Sequence, residues 1–170
     1  TPNNIFEFPT SRANTLFDAV STLLRENDRR ESPLYKRLNS VIAVGGHSMG
    51  GGAAHIAAYL DRTLRFSLQF CPWTNVRYAT RVPGIVFGGG EDTLAPTDDH
   101  GELIYAQHTG ERLIYVAPNS GHYVGIYTDR DDTDRILRKL ITRYFFEPRC
   151  DLTLPSPPRQ YDYRLEDCTC

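Results

Sequence analysis

The sequence contains no long run of apolar residues, and its mean hydropathy is −0.43. A membrane-spanning helix needs about 20 consecutive apolar residues, so the sequence predicts no membrane span. The formal net charge of −2 over 170 residues shows no excess of one sign. It therefore gives no reason to expect nucleic acid or an anionic membrane as a partner. With 40% hydrophobic residues, the chain can bury a substantial core, and we expect a single domain over residues 1–170.

Phosphate-binding loops and metal-ligand motifs are also lacking. Residues 88–90 are all glycine, but no Lys-Ser or Lys-Thr pair follows them, as a nucleotide-binding loop requires. The His, Asp and Glu residues are not spaced like the ligands of a metal site. The sequence therefore predicts neither a metal nor another cofactor.

Cysteine is scarce, and three of the four cysteines lie in the tail: Cys71, Cys150, Cys168 and Cys170. They form no C-x-x-C pair that would indicate zinc. One interpretation is a disulfide from Cys150 to Cys168 or Cys170, which implies an oxidising, secreted setting. The alternative is free thiols in a cytosolic protein. Cys71 follows an apolar run and is predicted to be a small buried residue.

The apolar patterns predict alternating helices and strands, which is typical of an α/β fold with a mostly parallel sheet and helices on both faces. Short apolar strands are predicted over 41–44, 64–70, 84–87 and 112–116. The first predicted helix is capped by Thr10 or Ser11 and ends near Glu26. It has one predicted apolar face, made of Leu16, Val20, Leu23 and Leu24. Further helices are predicted over 51–60, 98–107 and 132–146. The proline-rich tail, 146–170, is expected to be irregular or to form an edge strand.

The most informative segment is Gly46-x-Ser48-x-Gly50, which lies between an apolar strand and a small, apolar helix. A strand–turn–helix setting is what a nucleophilic serine needs, because the sharp turn exposes its hydroxyl group. Glycines on either side let the turn close without a clash of Cβ atoms. The alternative is a glycine-rich turn that carries an uninvolved serine.

An acid and a base follow Ser48 in the order typical of α/β hydrolases, each after a predicted strand. Asp92 follows strand 84–87, and His122 follows strand 112–116. A serine hydroxyl is a poor nucleophile at neutral pH, so an imidazole must take its proton and a carboxylate must orient that imidazole. We therefore predict Ser48, Asp92 and His122 as catalytic residues. Structural or solvated roles are predicted for the rival side chains, which are Glu91, Asp98, Asp99, His47, His55, His100 and His108.

Several motifs occur together at matching intervals: Gly46-His47-Ser48-Met49-Gly50-Gly51-Gly52, Cys71-Pro72-Trp73, Val82-Pro83, Glu91-Asp92-Thr93-Leu94-Ala95-Pro96 and Gly121-His122-Tyr123. In this combination the chain resembles the bacterial cutinases and polyester hydrolases. The resemblance implies an α/β-hydrolase fold and a secreted serine esterase that cleaves hydrophobic or polymeric esters.

The resemblance also implies individual roles. The N–H group of Met49 is expected to bind the oxyanion, and Trp73, Leu94 and Tyr123 are expected to line the substrate cleft. For Trp73, ordinary core packing is the alternative. A Cys150–Cys168 disulfide is implied for the tail. Gly90 stands where some family members have an aspartate that is involved in calcium binding, so no metal is carried over.

One departure from the family concerns the start of the chain. Thr1 opens directly on a polar segment, whereas the family has further strands upstream and a loop that supplies a second oxyanion donor. The sequence therefore predicts a fragment or a reduced hydrolase. A catalytically impaired fragment, or a non-catalytic binding module that retains the triad, is the alternative to an active esterase.

Overall fold

The computed structural model describes residues 6–124, 126, 142 and 162–166. The helices are α1 (Pro9–Asp28), α2 (Met49–Leu60) and α3 (Glu102–Gln107), and a π-helical turn (Thr97–Gly101) leads into α3. The strands are β1 (Val44–His47), β2 (Ser67–Phe70), β3 (Gly84–Gly89), β4 (Arg112–Ala117) and β5 (Asp162–Glu166). The alternation of helices and strands confirms the α/β class. In the described part of the chain, no helix is both long and apolar enough to cross a membrane.

The five strands form one sheet in the order β1-β2-β3-β4-β5. Strands β1 to β4 are parallel, with Val44 beside Ser67 and Gly84 beside Arg112. Strand β5 pairs antiparallel with β4, so this part of the tail forms the predicted edge strand. Because parallel strands point the same way, the loops after β1, β2, β3 and β4 all leave at one edge of the sheet.

The apolar core lies on both faces of the sheet. Ile85 and Phe87 of β3 pack with Leu113 of β4 in one cluster, whereas Val86 packs with Ile104 of α3 in another. This division follows from the alternation of side chains along a strand. The third cluster joins the small residues of α2 to α1 and β1. Side chains on both faces of β3 are thus buried, as its nearly continuous apolar sequence requires. Helices α1, α2 and α3 lie on the face of Val44 and Val86.

The first helix is longer than predicted, and its predicted apolar face is only partly buried: Leu16 packs against the core cluster of α2, and Val20 is half-buried. Proline is tolerated at the first helical position, so α1 begins at Pro9 and has Phe8, not Thr10 or Ser11, before it. Pro9 and Ala13 are its buried residues, whereas Leu23 and Leu24 of the predicted face are exposed. Helix α1 packs on α2. At a rise of about 1.5 Å per residue, α2 is about 18 Å long and α1 is about 30 Å long. The last turns of α1 therefore extend beyond their partner.

Two other predictions have different outcomes. The first strand occupies Val44–His47 and not residues 41–44, because its partners in the ladder are Ser67–Phe70. The glycines at 45 and 46, which the sequence predicts in the turn, are thus part of the strand. The predicted helix 132–146 lies outside the described residues, apart from residue 142, which is helical. Cys150, Cys168 and Cys170 also lie outside them.

Two histidines form a fully buried pair. His55 of α2 and His108, just after α3, are both 0% exposed, so of the two roles predicted for them, structural or solvated, the solvated one is excluded. His55 Nδ1 lies 3.2 Å from His108 Nε2. The remaining nitrogen of each ring faces an oxygen: His108 Nδ1 is 2.8 Å from the Val82 carbonyl, and His55 Nε2 is 3.2 Å from Gln107 Oε1. Each of these three contacts needs one N–H group.

Two neutral imidazoles carry only two N–H groups, so one contact of the pair is unsatisfied. Gln107 cannot relieve this by exchanging its oxygen and nitrogen, because its oxygen accepts from the Tyr78 N–H and its nitrogen donates to the Leu103 carbonyl. A third proton would satisfy all contacts but leave a buried charge. That charge costs several kcal/mol, against about 1 kcal/mol for one hydrogen bond. Burial accordingly lowers the pKa of both histidines, that of His108 to about 3.

We expect acid to destabilise the fold through this pair. In the unfolded chain both histidines titrate near 6.5, whereas their pKa is lower in the folded state. The unfolded state therefore binds more protons below about pH 6.5, and stability falls by up to about 1.4 kcal/mol per pH unit for each group. Urea unfolding between pH 6.5 and 4.5 measures this slope. The double variant His55→Leu/His108→Met should have a much shallower slope.

The matched control for this experiment is His100→Asn, which removes a histidine outside the pair and should retain the wild-type slope. Asp92 and Glu26 also have a lowered pKa, but carboxylates titrate mainly below the range of this measurement. If the double variant keeps the full acid dependence, the buried pair is not its source.

Candidate active site

The predicted catalytic residues all lie at the edge of the sheet where the parallel strands end. Ser48 follows β1, Asp92 lies in the turn after β3, and His122 lies in the loop after β4. Cys71 follows β2 at the same edge. The register of the four parallel strands therefore brings together residues that are far apart in the sequence.

Ser48 occupies a strained turn between β1 and α2. Its φ of 57° and ψ of −124° lie outside the regions that residues with a Cβ atom normally adopt. The surrounding backbone holds this conformation in place. Ser48 N–H donates to the Phe70 carbonyl at 2.9 Å, and the Ser48 carbonyl accepts from the N–H groups of Gly51, Gly52 and Trp73. The chain is thus fixed so that the serine side chain projects from a sharp turn.

Two glycines are needed for this turn because the backbone passes very close to them. A Cβ atom on Gly46 would lie 2.3 Å from both the carbonyl carbon and the carbonyl oxygen of Gly50. A Cβ atom on Gly52 would lie 2.1 Å from the Trp73 carbonyl oxygen. Gly50 is different, since no atom lies within 4 Å of the position of its Cβ. The motif therefore depends on Gly46 more than on Gly50.

The predicted acid and base are in contact. Asp92 Oδ2 lies 2.8 Å from His122 Nδ1, and Asp92 Oδ1 accepts from the N–H groups of Leu94 and Ala95. Burial acts to raise the pKa of Asp92, but the Ala95 N–H, His122 and the Leu94 N–H together hold it below its ordinary value. Asp92 is therefore a carboxylate at neutral pH. It accepts a hydrogen bond from His122 Nδ1, which leaves the lone pair of the neutral ring on Nε2.

The described part of the chain contains no hydrogen bond between Ser48 Oγ and His122 Nε2. Contacts between a nucleophile and its base are often long before substrate binds and shorten in the complex. The predicted contact between Asp92 and His122 is thus present, while the assignment of Ser48, Asp92 and His122 as a catalytic unit remains a prediction.

His47 has a larger part in the site than its sequence position suggested. It is the last residue of β1, and its Nε2 lies 2.7 Å from the His122 carbonyl oxygen, to which it donates. Its ring is stacked on that of Tyr123, at 5.5 Å between centroids, and lies 4.5 Å from the ring of His122. His47 thus ties the end of β1 to the loop that carries the predicted base.

Cys71 is fully buried, as predicted, but its surroundings are polar. It is a free cysteine with a positive φ of 37°, and its Sγ lies 3.8 Å from the Gly121 carbonyl oxygen. Burial and the nearby Asp92 carboxylate raise the pKa of the thiol to about 12. Cys71 is therefore a protonated thiol at neutral pH when nothing is bound to it.

The residues expected to line a cleft leave the sheet at the same edge. Leu94 is 64% and Tyr123 53% exposed, and Trp73 is half-buried. The ring of Trp73 contacts those of His100, at 5.5 Å, and Phe8, at 6.4 Å. The aromatic contact of Phe8 with Trp73 was not predicted from the sequence.

Met49 is the first residue of α2. The first N–H groups of a helix have no partner within the helix, so the Met49 N–H is available to an oxyanion beside Ser48. The rival carboxylates lie elsewhere: Glu91 is exposed, and Asp98 and Asp99 lie in the first turn of the π-helical segment.

The chain is similar to known ester hydrolases. A family model described as PETase, PET hydrolase-like, matches residues 1–146. Cutinase 2 of Thermobifida cellulosilytica is 32% identical over 105 residues, which cover 61% of this chain and 39% of the relative. Cutinase est1 of Thermobifida alba is 33% identical over 107 residues, which cover 61% of this chain and 35% of the relative. The bis(hydroxyethyl) terephthalate hydrolase of Streptomyces coelicolor is 32% identical over 107 residues, which cover 61% of this chain and 33% of the relative. The chain thus spans between 33% and 39% of the length of these relatives.

Proposed function

This chain belongs to the PET hydrolase-like family, and from that premise we propose that it is a serine ester hydrolase of the cutinase and polyester-hydrolase type. The observation that carries the proposal is the strained turn at Ser48, which lies at the same edge of the sheet as a histidine paired with a buried carboxylate. The substrates are carboxylic esters in hydrophobic or polymeric molecules.

In the proposed mechanism, Asp92 orients His122 and stabilises its protonated form. His122 Nε2 takes the proton of the Ser48 hydroxyl as Oγ attacks the ester carbonyl. The N–H group of Met49 donates a hydrogen bond to the resulting oxyanion. His122 then protonates the leaving alcohol, and a water molecule, deprotonated by the same ring, releases the acid from Ser48. The reaction requires no cofactor.

The nucleophile can be tested without knowledge of the natural substrate. Diethyl p-nitrophenyl phosphate should transfer its diethylphosphoryl group to Ser48 and release p-nitrophenol, because an activated serine attacks phosphorus as it attacks an ester carbonyl. Intact-mass and peptide mass spectrometry should find one added group, on the peptide that contains Ser48. The variants Ser48→Ala and His122→Ala should not be labelled, whereas Ser120→Ala, a serine at the same edge, should be.

The alternative function predicts a different result. A catalytically impaired fragment or a non-catalytic binding module would remain unlabelled while circular dichroism shows it to be folded. Labelling at a serine other than Ser48 would also contradict the proposed nucleophile.

Trp73 allows a prediction about substrate class. An aromatic contact is worth about 0.5–1.5 kcal/mol beyond the apolar area it buries, and a large aromatic acyl group can contact both Trp73 and the exposed ring of Phe8 beside it. We expect Trp73→Ala to lower turnover of an aromatic polyester about tenfold more than turnover of p-nitrophenyl acetate. Parallel assays of the two substrates measure this difference. Equal losses on both substrates would show that Trp73 only packs the core.

The proposal also includes secretion and a disulfide between Cys150 and Cys168, which the family resemblance implies. Peptide mapping of the native protein under non-reducing conditions tests the pairing. Free thiols at both positions would exclude the disulfide and remove the argument for an oxidising compartment.

A further inference from the structure

Three potential metal ligands from three different segments meet beside the predicted nucleophile. One ring nitrogen of His47, one of His122 and the Sγ atom of Cys71 all lie within 4.8 Å of one another. The predicted chemistry of the site uses Ser48, Asp92 and His122 and has no step for a thiol. The position of Cys71 in this cluster is thus unexplained by the proposed hydrolysis.

The geometry of the cluster suits one small, thiophilic cation. Zinc binds nitrogen at about 2.0–2.1 Å and thiolate sulfur at about 2.3 Å, so tetrahedral ligand atoms lie about 3.3–3.6 Å apart. The three atoms therefore need to approach one another by no more than about 1.5 Å, which small rotations of the two rings and the thiol supply. Two imidazoles and a thiolate also form a ligand set that zinc uses in proteins, with water as the fourth ligand.

The surroundings favour a cation and give it access. The Asp92 carboxylate lies beside Cys71 and supplies negative charge to offset part of that of a divalent ion. His47 is half-buried, and Tyr123 beside it is 53% exposed, whereas the His122 side chain is only 8% exposed and Cys71 is fully buried. An ion can therefore approach from the side of His47 and Tyr123.

We propose that His47, Cys71 and His122 form a binding site for one thiophilic divalent ion, with Zn²⁺ as its ordinary occupant, and that this ion inhibits the enzyme. On binding, the S–H bond of Cys71 breaks, its electron pair forms the bond to zinc, and the proton leaves to solvent. Each histidine donates a ring lone pair, and no atom is oxidised or reduced.

Zinc should inhibit because His122 would be both a zinc ligand and the catalytic base. This inhibition rests on the proposed function, whereas the metal-binding site itself does not. If zinc takes Nε2 of His122, the ring cannot accept the proton of Ser48. If zinc takes Nδ1, the contact with Asp92 is lost. Zinc binding to either nitrogen thus prevents His122 from acting as the base.

Cobalt provides a test that does not depend on turnover. Titration of the native protein with Co²⁺ should produce a thiolate-to-cobalt charge-transfer absorption that saturates at one ion per chain, and Zn²⁺ should displace it. Cys71→Ser keeps the size of the side chain but offers a poor ligand, and should abolish the absorption. Cys71→Ala provides a second variant if the first does not fold, and His122→Gln should weaken the absorption. Cys170→Ser, the matched control, should leave it unchanged.

In parallel, Zn²⁺ should inhibit hydrolysis of p-nitrophenyl butyrate, and a chelator should restore it. Loss of an outer-shell partner alone costs about 10–100-fold in metal affinity, so Cys71→Ser should raise the half-inhibitory zinc concentration by at least about tenfold. The proposal is overturned if the wild-type protein shows no absorption, or if Cys170→Ser and not Cys71→Ser removes it. Inhibition that is the same in Cys71→Ser also overturns it. Absence of all turnover would contradict the proposed function, while the cobalt spectrum would still decide the metal site.

Discussion

Ser48→Ala is expected to lower turnover of p-nitrophenyl butyrate by about 10⁴- to 10⁶-fold, because the residues of a nucleophile–base pair act as a unit. The variant keeps the strained turn, whose hydrogen bonds involve only the backbone of residue 48. Alanine removes the oxygen that forms the acyl-enzyme in the proposed mechanism. Steady-state assays of purified wild type and variant measure the effect.

The shared role of Ser48 and His122 makes the result diagnostic. His122→Ala should cost nearly as much turnover as Ser48→Ala, and the double variant should lose little more, since each single change already disables the same step. Ser120→Ala should remain active. Independent, multiplicative losses in the double variant, or substantial turnover by Ser48→Ala, would contradict the proposed mechanism.

Gly46→Ala is expected to have the largest effect on the fold. Its new Cβ would lie 2.3 Å from the carbonyl carbon and oxygen of Gly50, and both are backbone atoms that cannot move without opening the turn. Overpacking of this kind costs about 1–3 kcal/mol where side chains can adapt, and more where they cannot. We therefore expect unfolding free energy to fall by about 3 kcal/mol or more, with loss of turnover.

Gly50→Ala is the matched control, because the space at its Cβ position is open. Gly50 lies in the first turn of α2, where alanine has a higher helix propensity than glycine by up to about 1 kcal/mol. This variant should be at least as stable as wild type. Denaturant unfolding of both variants makes the comparison. Equal stability of the two would show that the turn tolerates a Cβ at position 46.

The parallel strands, and the positions of Ser48, Asp92 and His122 just after three of them, could be predicted from the sequence because both depend on local signals. Apolar runs followed by polar residues mark the ends of buried parallel strands, and such ends share one edge of a sheet. The limits of β1 could not be predicted in this way. Residues 41–43 have the apolar pattern of a strand, but the register with β2 places the ladder at Val44–His47.

The contacts that the sequence did not reveal are all long-range. His55 meets His108 across 53 positions, and Cys71 lies near Gly121 across 50. Histidine and cysteine are common in many environments, so neither residue type nor local spacing indicates such partners. The exposure of Leu23 and Leu24 has a similar origin, because the pattern of a helix shows which side is apolar but not how far the neighbouring helix extends.

The bond from His47 to the His122 carbonyl closes a segment of 75 residues. Closing a flexible loop of that length costs about 4 kcal/mol of free energy, because the chain loses entropy. One hydrogen bond stabilises the fold by only about 1 kcal/mol. The bond therefore forms only after the pairing of β1 with β2, β2 with β3 and β3 with β4 has shortened the path. Such non-local parallel pairing is slow compared with helix formation. During refolding, recovery of ester hydrolysis should consequently lag behind the helical signal of α1 and α2, and its rate should report the completion of the sheet.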